Sequence, residues 1–136
     1  MNRKPLKLFI FNIIFIFGLH GGNITGKWYI YEQDLNAVIV RVYNEGSKLY
    51  GVIDRTYGNY PVICRSCKGA AHNKHIKGML IFKSSSRVGA KWIGKVLYPP
   101  QGSWYDCQIW SSGSHLKAKV CGNGKCKTYS LRRFRL

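Results

Sequence analysis

Carboxylates are scarce in this sequence: five Asp and Glu stand against 22 Lys and Arg, a formal charge of +17. Carboxylate acid–base catalysis needs two acidic groups in one place with their proton affinities driven apart. Glu32, Asp34 and Glu45 sit at or near turn-like segments, while Asp54 and Asp106 fall singly on strand-like ones. Other chemistry is missing as well. No Gly-rich loop follows a strand to cradle phosphate, and His72, His75 and His115 have no nucleophile beside them. There is no internal repeat, no low-complexity tract and no sustained helical period. The expectation is a protein that is not an enzyme, with no cofactor and no catalytic metal.

A bilayer-spanning helix is also missing. The longest apolar run, Leu8 to Leu19 behind Arg3, Lys4 and Lys7, falls short of the roughly 20 residues a span requires. A cationic opening, a short apolar stretch and the small residues Gly18, Gly21 and Gly22 fit a secretory signal. Residues 1–22 are therefore read as a signal peptide and 23–136 as the exported domain, periplasmic or extracellular. Membrane contact is expected only through the N-terminal segment, if it stays uncleaved.

Five cysteines remain: Cys64, Cys67, Cys107, Cys121 and Cys126. An oxidising compartment favours disulfides, with one thiol left over. The sequence leaves the pairing open. Cys64-x-x-Cys67 could form a staple by itself or through Cys107. As a redox pair it would need a helix N-terminus to favour thiolate, and no βαβ pattern supplies one. As a zinc knuckle it would need Cys121 and Cys126, or His72 and His75, to complete a tetrahedron.

What is abundant is short β-type runs separated by turn residues. Strands are predicted at Gly26–Glu32, Ala37–Asn44, Lys48–Thr56, Ile76–Lys83, Ala90–Tyr98, Ser103–Trp110, His115–Gly122 and Lys125–Phe134. Separators include Ser84-Ser85-Ser86, Pro99-Pro100-Gln101-Gly102 and Asn123-Gly124. An irregular stretch, Tyr57–His75, has room for one helical turn. Alternation gives an inner face: Trp92, Gly94 and Val96; Tyr105, Cys107 and Ile109; Leu116, Ala118 and Val120. Consecutive hairpins suit an all-β, eight-stranded antiparallel up-and-down barrel, whose closure removes exposed strand edges.

Gly26-Lys27-Trp28, with Arg132 and Arg133 near the end of the chain, resembles the lipocalin and calycin signature. That resemblance implies a Trp closing the barrel floor with an Arg from the last strand over its ring. A more specific resemblance is to the bacterial DUF2147 family. It is carried by Gly26-Lys27-Trp28, by Cys64-Arg65-Ser66-Cys67-Lys68-Gly69, by Ile76-Lys77-Gly78-Met79 and by the segment Trp92 to Tyr105. Tyr98-Pro99 departs from the Asp-Pro of that family, and Ser130-Leu131-Arg132-Arg133 lacks its usual Trp. The resemblance implies an exported short barrel and brings no established activity.

Inside such a barrel Tyr50, Phe82, Trp92 and Tyr105 are the candidate lining of a cavity for a small apolar ligand. The competing partner is an anionic surface, whether membrane, glycan or nucleic acid, drawn by the net charge. Nucleic acid is disfavoured among these, because stacking folds of that kind use a five-stranded barrel and export removes the substrate.

Overall fold

In the computed structural model residues 23–32 and 36–135 are described. The predicted signal peptide and Asp34 lie outside them. The strands are β1 (Gly26–Glu32), β2 (Asn36–Glu45), β3 (Lys48–Thr56), β4 (Leu80–Val88), β5 (Lys91–Tyr98), β6 (Ser103–Ser112), β7 (His115–Gly122) and β8 (Lys125–Arg133). They pair antiparallel in chain order and the sheet closes on itself. Closure runs through Trp28↔Arg133 and Tyr29↔Arg132, backed by a bond from the Phe134 amide to the Lys27 carbonyl. Up-and-down order puts the β3–β4, β5–β6 and β7–β8 connections at one end, the mouth. The β2–β3, β4–β5 and β6–β7 turns gather at the other with both ends of the sheet.

Side chains switch face at each strand residue, so each alternating run has one apolar face to bury. Val38, Val40 and Val42 on β2, Leu49 and Ile53 on β3, Cys107 and Ile109 on β6, and Leu116 and Leu131 form the core. Each buried aliphatic of this size contributes roughly 1.5–3 kcal/mol relative to exposure.

The fourth strand differs from the sequence reading. It begins at Leu80, later than predicted, and runs through the three serines to Val88. Pairing with β5 shifts between Ser84 and Ser86, which makes the serines a bulge inside a strand; the turn comes afterwards. Ser84 is buried, and its Oγ accepts the Leu49 amide at 2.9 Å. Serine composition resembles a turn, but the Ser84 hydroxyl satisfies the Leu49 amide just beyond the Tyr50↔Lys83 pair of β3 and β4.

Residues 57–79 fold into a small cap between β3 and β4. It contains a single 3-10 turn at Gly69–Ala71 and an antiparallel bridge Ile63↔His75. Ile76 is fully buried, and Cys64 and Cys67 are nearly so. Backbone bonds tie the cap to β3: Gly78 N–H to Ile53 O at 2.7 Å and Ile53 N–H to Met79 O at 3.0 Å. On its other side it lies tight on the β5–β6 turn. Gly102 has φ +68°, and a Cβ there would overlap the Ser66 carbonyl.

Candidate functional site

The inward faces of the strands do not fill the barrel. They leave a cavity of about 680 Å³, within the roughly 300–1,000 Å³ of small-molecule sites. Its inner wall is aliphatic, with Val38, Val40, Ile53, Val96, Ile109 and Ala118 from five of the strands. Toward the mouth the lining turns polar and aromatic: Tyr60 from the cap, Tyr98 at the end of β5, Gln101 from the β5–β6 connection, Tyr105, and Lys125 and Lys127 from β8. Tyr105 lies across Gly122, where a Cβ would meet the ring, and its hydroxyl donates to Gln101 Oε1 at 2.6 Å. Cys107 is a buried free thiol on the wall, and desolvation pushes its pKa up to about 12. Such a thiol stays neutral and unreactive at ordinary pH.

Of the four residues predicted to line a cavity, Phe82 and Tyr105 do so. Trp92 is buried on the inner face but lies toward the closed end, outside the cavity lining, with Arg87 4.6 Å from its ring centroid. Tyr50 is corrected: it faces outward and stacks on its cross-strand partner Tyr43 at 5.5 Å. The reason is period two. Leu49, Gly51 and Ile53 take the inner face of β3, so the residue between them must point out.

At the closed end Gly26, Trp28 and Arg133 meet. The Arg133 guanidinium sits 4.2 Å from the Trp28 ring centroid, with Nη1 donating to the Thr25 carbonyl at 2.7 Å and Nη2 to that of Asn23 at 2.8 Å. Trp28 Nε1 donates to the Ile24 carbonyl. Gly26, at φ +122°, leaves the room that Arg133 occupies, since a Cβ there would come within 2.6 Å of Nη1. Arg132 points the other way, lying 5.8 Å from Tyr29 on the outer face. A smaller cleft of about 370 Å³ beside this cluster includes His115, Arg132 and Arg135.

The cysteines resolve into Cys64–Cys67 and Cys121–Cys126, leaving Cys107 free. In this state none of the four sulfurs is a thiolate for zinc, and the helical element after Cys67 is a 3-10 turn of three residues, Gly69–Ala71, in place of the helix whose N-terminus a redox pair would use. Cys121 and Cys126 face each other in register across the β7–β8 hairpin, and Cys64 and Cys67 staple the cap. His72 Nδ1 donates to the Cys67 carbonyl at 3.0 Å. Among the described residues no three His, Cys, Asp or Glu side chains gather as metal ligands. Asp54 and Asp106 are tied separately to Lys27 at 3.2 Å and Lys95 at 2.9 Å.

On the outer surface several rings already carry the protein's own cations: Arg41 over Tyr43 and Lys91 over Trp110. The sequence reading missed Tyr60, Lys125 and Lys127 as cavity residues. For the lysines the signal was present, because alternation back from buried Leu131 puts Tyr129, Lys127 and Lys125 on one face. For Tyr60 there was none, since a cap has no period.

Compared with solved structures, the chain is similar to protein HP1028 of Helicobacter pylori, described as belonging to the lipocalin family. The two share 15% identity and a TM-score of 0.73 over 83% of this chain and 84% of that one, a likeness of fold. No curated protein matches the chain. The model of a family described as an uncharacterized protein conserved in bacteria, DUF2147, matches residues 26–133, and the chain, with its lipocalin-like closed barrel, belongs to that family.

Proposed function

We propose that this protein is an exported, non-catalytic carrier that holds a small, largely apolar ligand inside its barrel. The observation that carries this reading is the cavity of about 680 Å³ with an aliphatic wall and polar groups confined to its mouth. Burying apolar ligand surface there yields roughly 25 cal/mol per Å². Among the described residues no carboxylates pair with each other, and this, the neutral Cys107 thiol and the separate ion pairs of Asp54 and Asp106 support a role without catalysis. Two disulfides support an oxidising compartment, as does the cationic and apolar start of the chain.

Titration with a neutral fluorescent apolar probe tests it. The expected result is saturable one-site binding that changes little between low and moderate salt, and Ala118→Trp, which fills the wall, weakens it at least tenfold. Loss of binding with added salt would instead mark the net charge of +17 as the source of affinity, and with it a protein of anionic surfaces. Absence of any saturable binding overturns the carrier reading.

A further inference from the structure

Strand β8 changes character along its inward face. Leu131 and Tyr129 lie deeper, opposite Leu116 and Ala118; Lys127 and Lys125 follow toward the mouth, opposite Val120 and Gly122. All four β8 residues line the cavity. Both lysines are exposed at the rim, beside the apolar wall and open to an incoming anion. Lys127 Nζ rests 4.8 Å from the Tyr129 ring centroid, which offers a cation only the face of a quadrupole. Among the described residues no carboxylate reaches either lysine. Asp54 and Asp106 are engaged with Lys27 and Lys95, and Glu45 belongs to the opposite end of the barrel. The side chains of Glu32 and Asp34 are outside the described residues. Gln101 and Tyr105 complete the polar collar. Tyr105 is held against this same hairpin by its contact with Gly122.

We propose that the cavity takes a single-chain amphiphile with an anionic head, a carboxylate or phosphate, its tail among the aliphatic residues and its head against Lys125 and Lys127. The proposal rests on the carrier reading above and names its ligand class. Among the described residues neither lysine has a carboxylate partner, so a neutral ligand brings them no counter-charge and a cationic one is repelled. An anion turns both into charge-assisted hydrogen bonds at the rim, while its tail is buried.

Calorimetric titration of the purified protein with matched tails, below their micelle concentrations, separates the contributions. The probes are dodecanol, dodecanoate, dodecyl phosphate and dodecyltrimethylammonium, with inorganic phosphate and acetate as heads without tails. Dodecanoate and dodecyl phosphate are expected to bind about tenfold or more tighter than dodecanol, with the ammonium weakest. Salt should weaken dodecanoate and dodecyl phosphate, leave dodecanol unchanged and, by screening the repulsion, not weaken the ammonium. K125Q/K127Q should bring dodecanoate to within about twofold of dodecanol while dodecanol itself is unchanged, and K125R/K127R should keep the anion preference. Equal binding of all four tails overturns the head-group site and leaves the carrier standing, whereas no binding by any tail overturns both. Inorganic phosphate binding as tightly as dodecyl phosphate overturns the tail-inward ligand.

Discussion

Removing Arg133 should loosen the closed end of the barrel, and the size of the loss can be worked from its contacts. Its guanidinium donates to two backbone carbonyls, at 2.7 and 2.8 Å, and lies 4.2 Å from the Trp28 ring centroid. A hydrogen bond from a charged donor contributes about 1.5–3 kcal/mol when buried, and about half that is appropriate here because the Asn23 end is exposed. The cation over the ring adds about 0.5–2 kcal/mol. Arg133→Ala should therefore cost about 2–5 kcal/mol, roughly 10–20 °C in Tm for a domain of this size. Arg133→Lys should fall between, since an ammonium cannot span both carbonyls and cover the ring at once. Urea unfolding followed by tryptophan fluorescence reads this directly, because Trp28 is among the reporters. Arg132→Ala is the internal control: its side chain is exposed and 5.8 Å from Tyr29, so it should cost no more than about 0.5 kcal/mol. Equal losses in Arg132→Ala and Arg133→Ala would refute the clamp.

The remaining predictions concern the wall, the bulge and the cap. Burial raises the Cys107 pKa from 9.0 to about 12, so the folded state holds a proton that the unfolded chain releases above pH 9. Stability from this group is complete below pH 9 and declines by up to about 1.4 kcal/mol per pH unit toward 12. Cys107→Ala should remove that component, and parallel pH dependences of the two proteins from 8 to 11 would show that the thiol is not shielded. Ser84→Ala leaves the buried Leu49 amide without its acceptor and should cost about 1–3 kcal/mol in urea unfolding, whereas Ser85→Ala, on an exposed side chain, should cost little. Gly102→Ala combines positive φ with overlap on the Ser66 carbonyl, so it should lower stability by about 1–3 kcal/mol and speed release of a bound probe by displacing the cap. Unchanged release in stopped-flow displacement would mean that the cap does not guard the mouth.

Much of the fold was written in local pattern. Period-two runs such as Leu116-Lys117-Ala118-Lys119-Val120 fix both strand and inner face, and turns such as Asn123-Gly124 fix where the chain reverses. Where local composition and pairing disagreed, pairing prevailed: three serines that read as a turn became a bulge because β5 and the Leu49 amide both needed them. The orientation of Tyr50 was legible in principle from Leu49 and Ile53, yet Gly51 broke the visible alternation.

The lipocalin resemblance implied an end sealed by Gly26, Trp28 and a terminal arginine, and the structure chose Arg133 over Arg132; the sequence by itself determined eight strands, their turns and the placing of charge on alternate positions. Those properties follow from nearest-neighbour rules along a strand, which a linear string carries. Only the tertiary structure decided that the interior stays partly empty, which cysteines join, that residues 57–79 cap the mouth, and that Lys125 and Lys127 border the cavity without a described carboxylate. Volume and pairing depend on how far apart opposite walls come to rest, and that distance is set by the whole ring of strands at once.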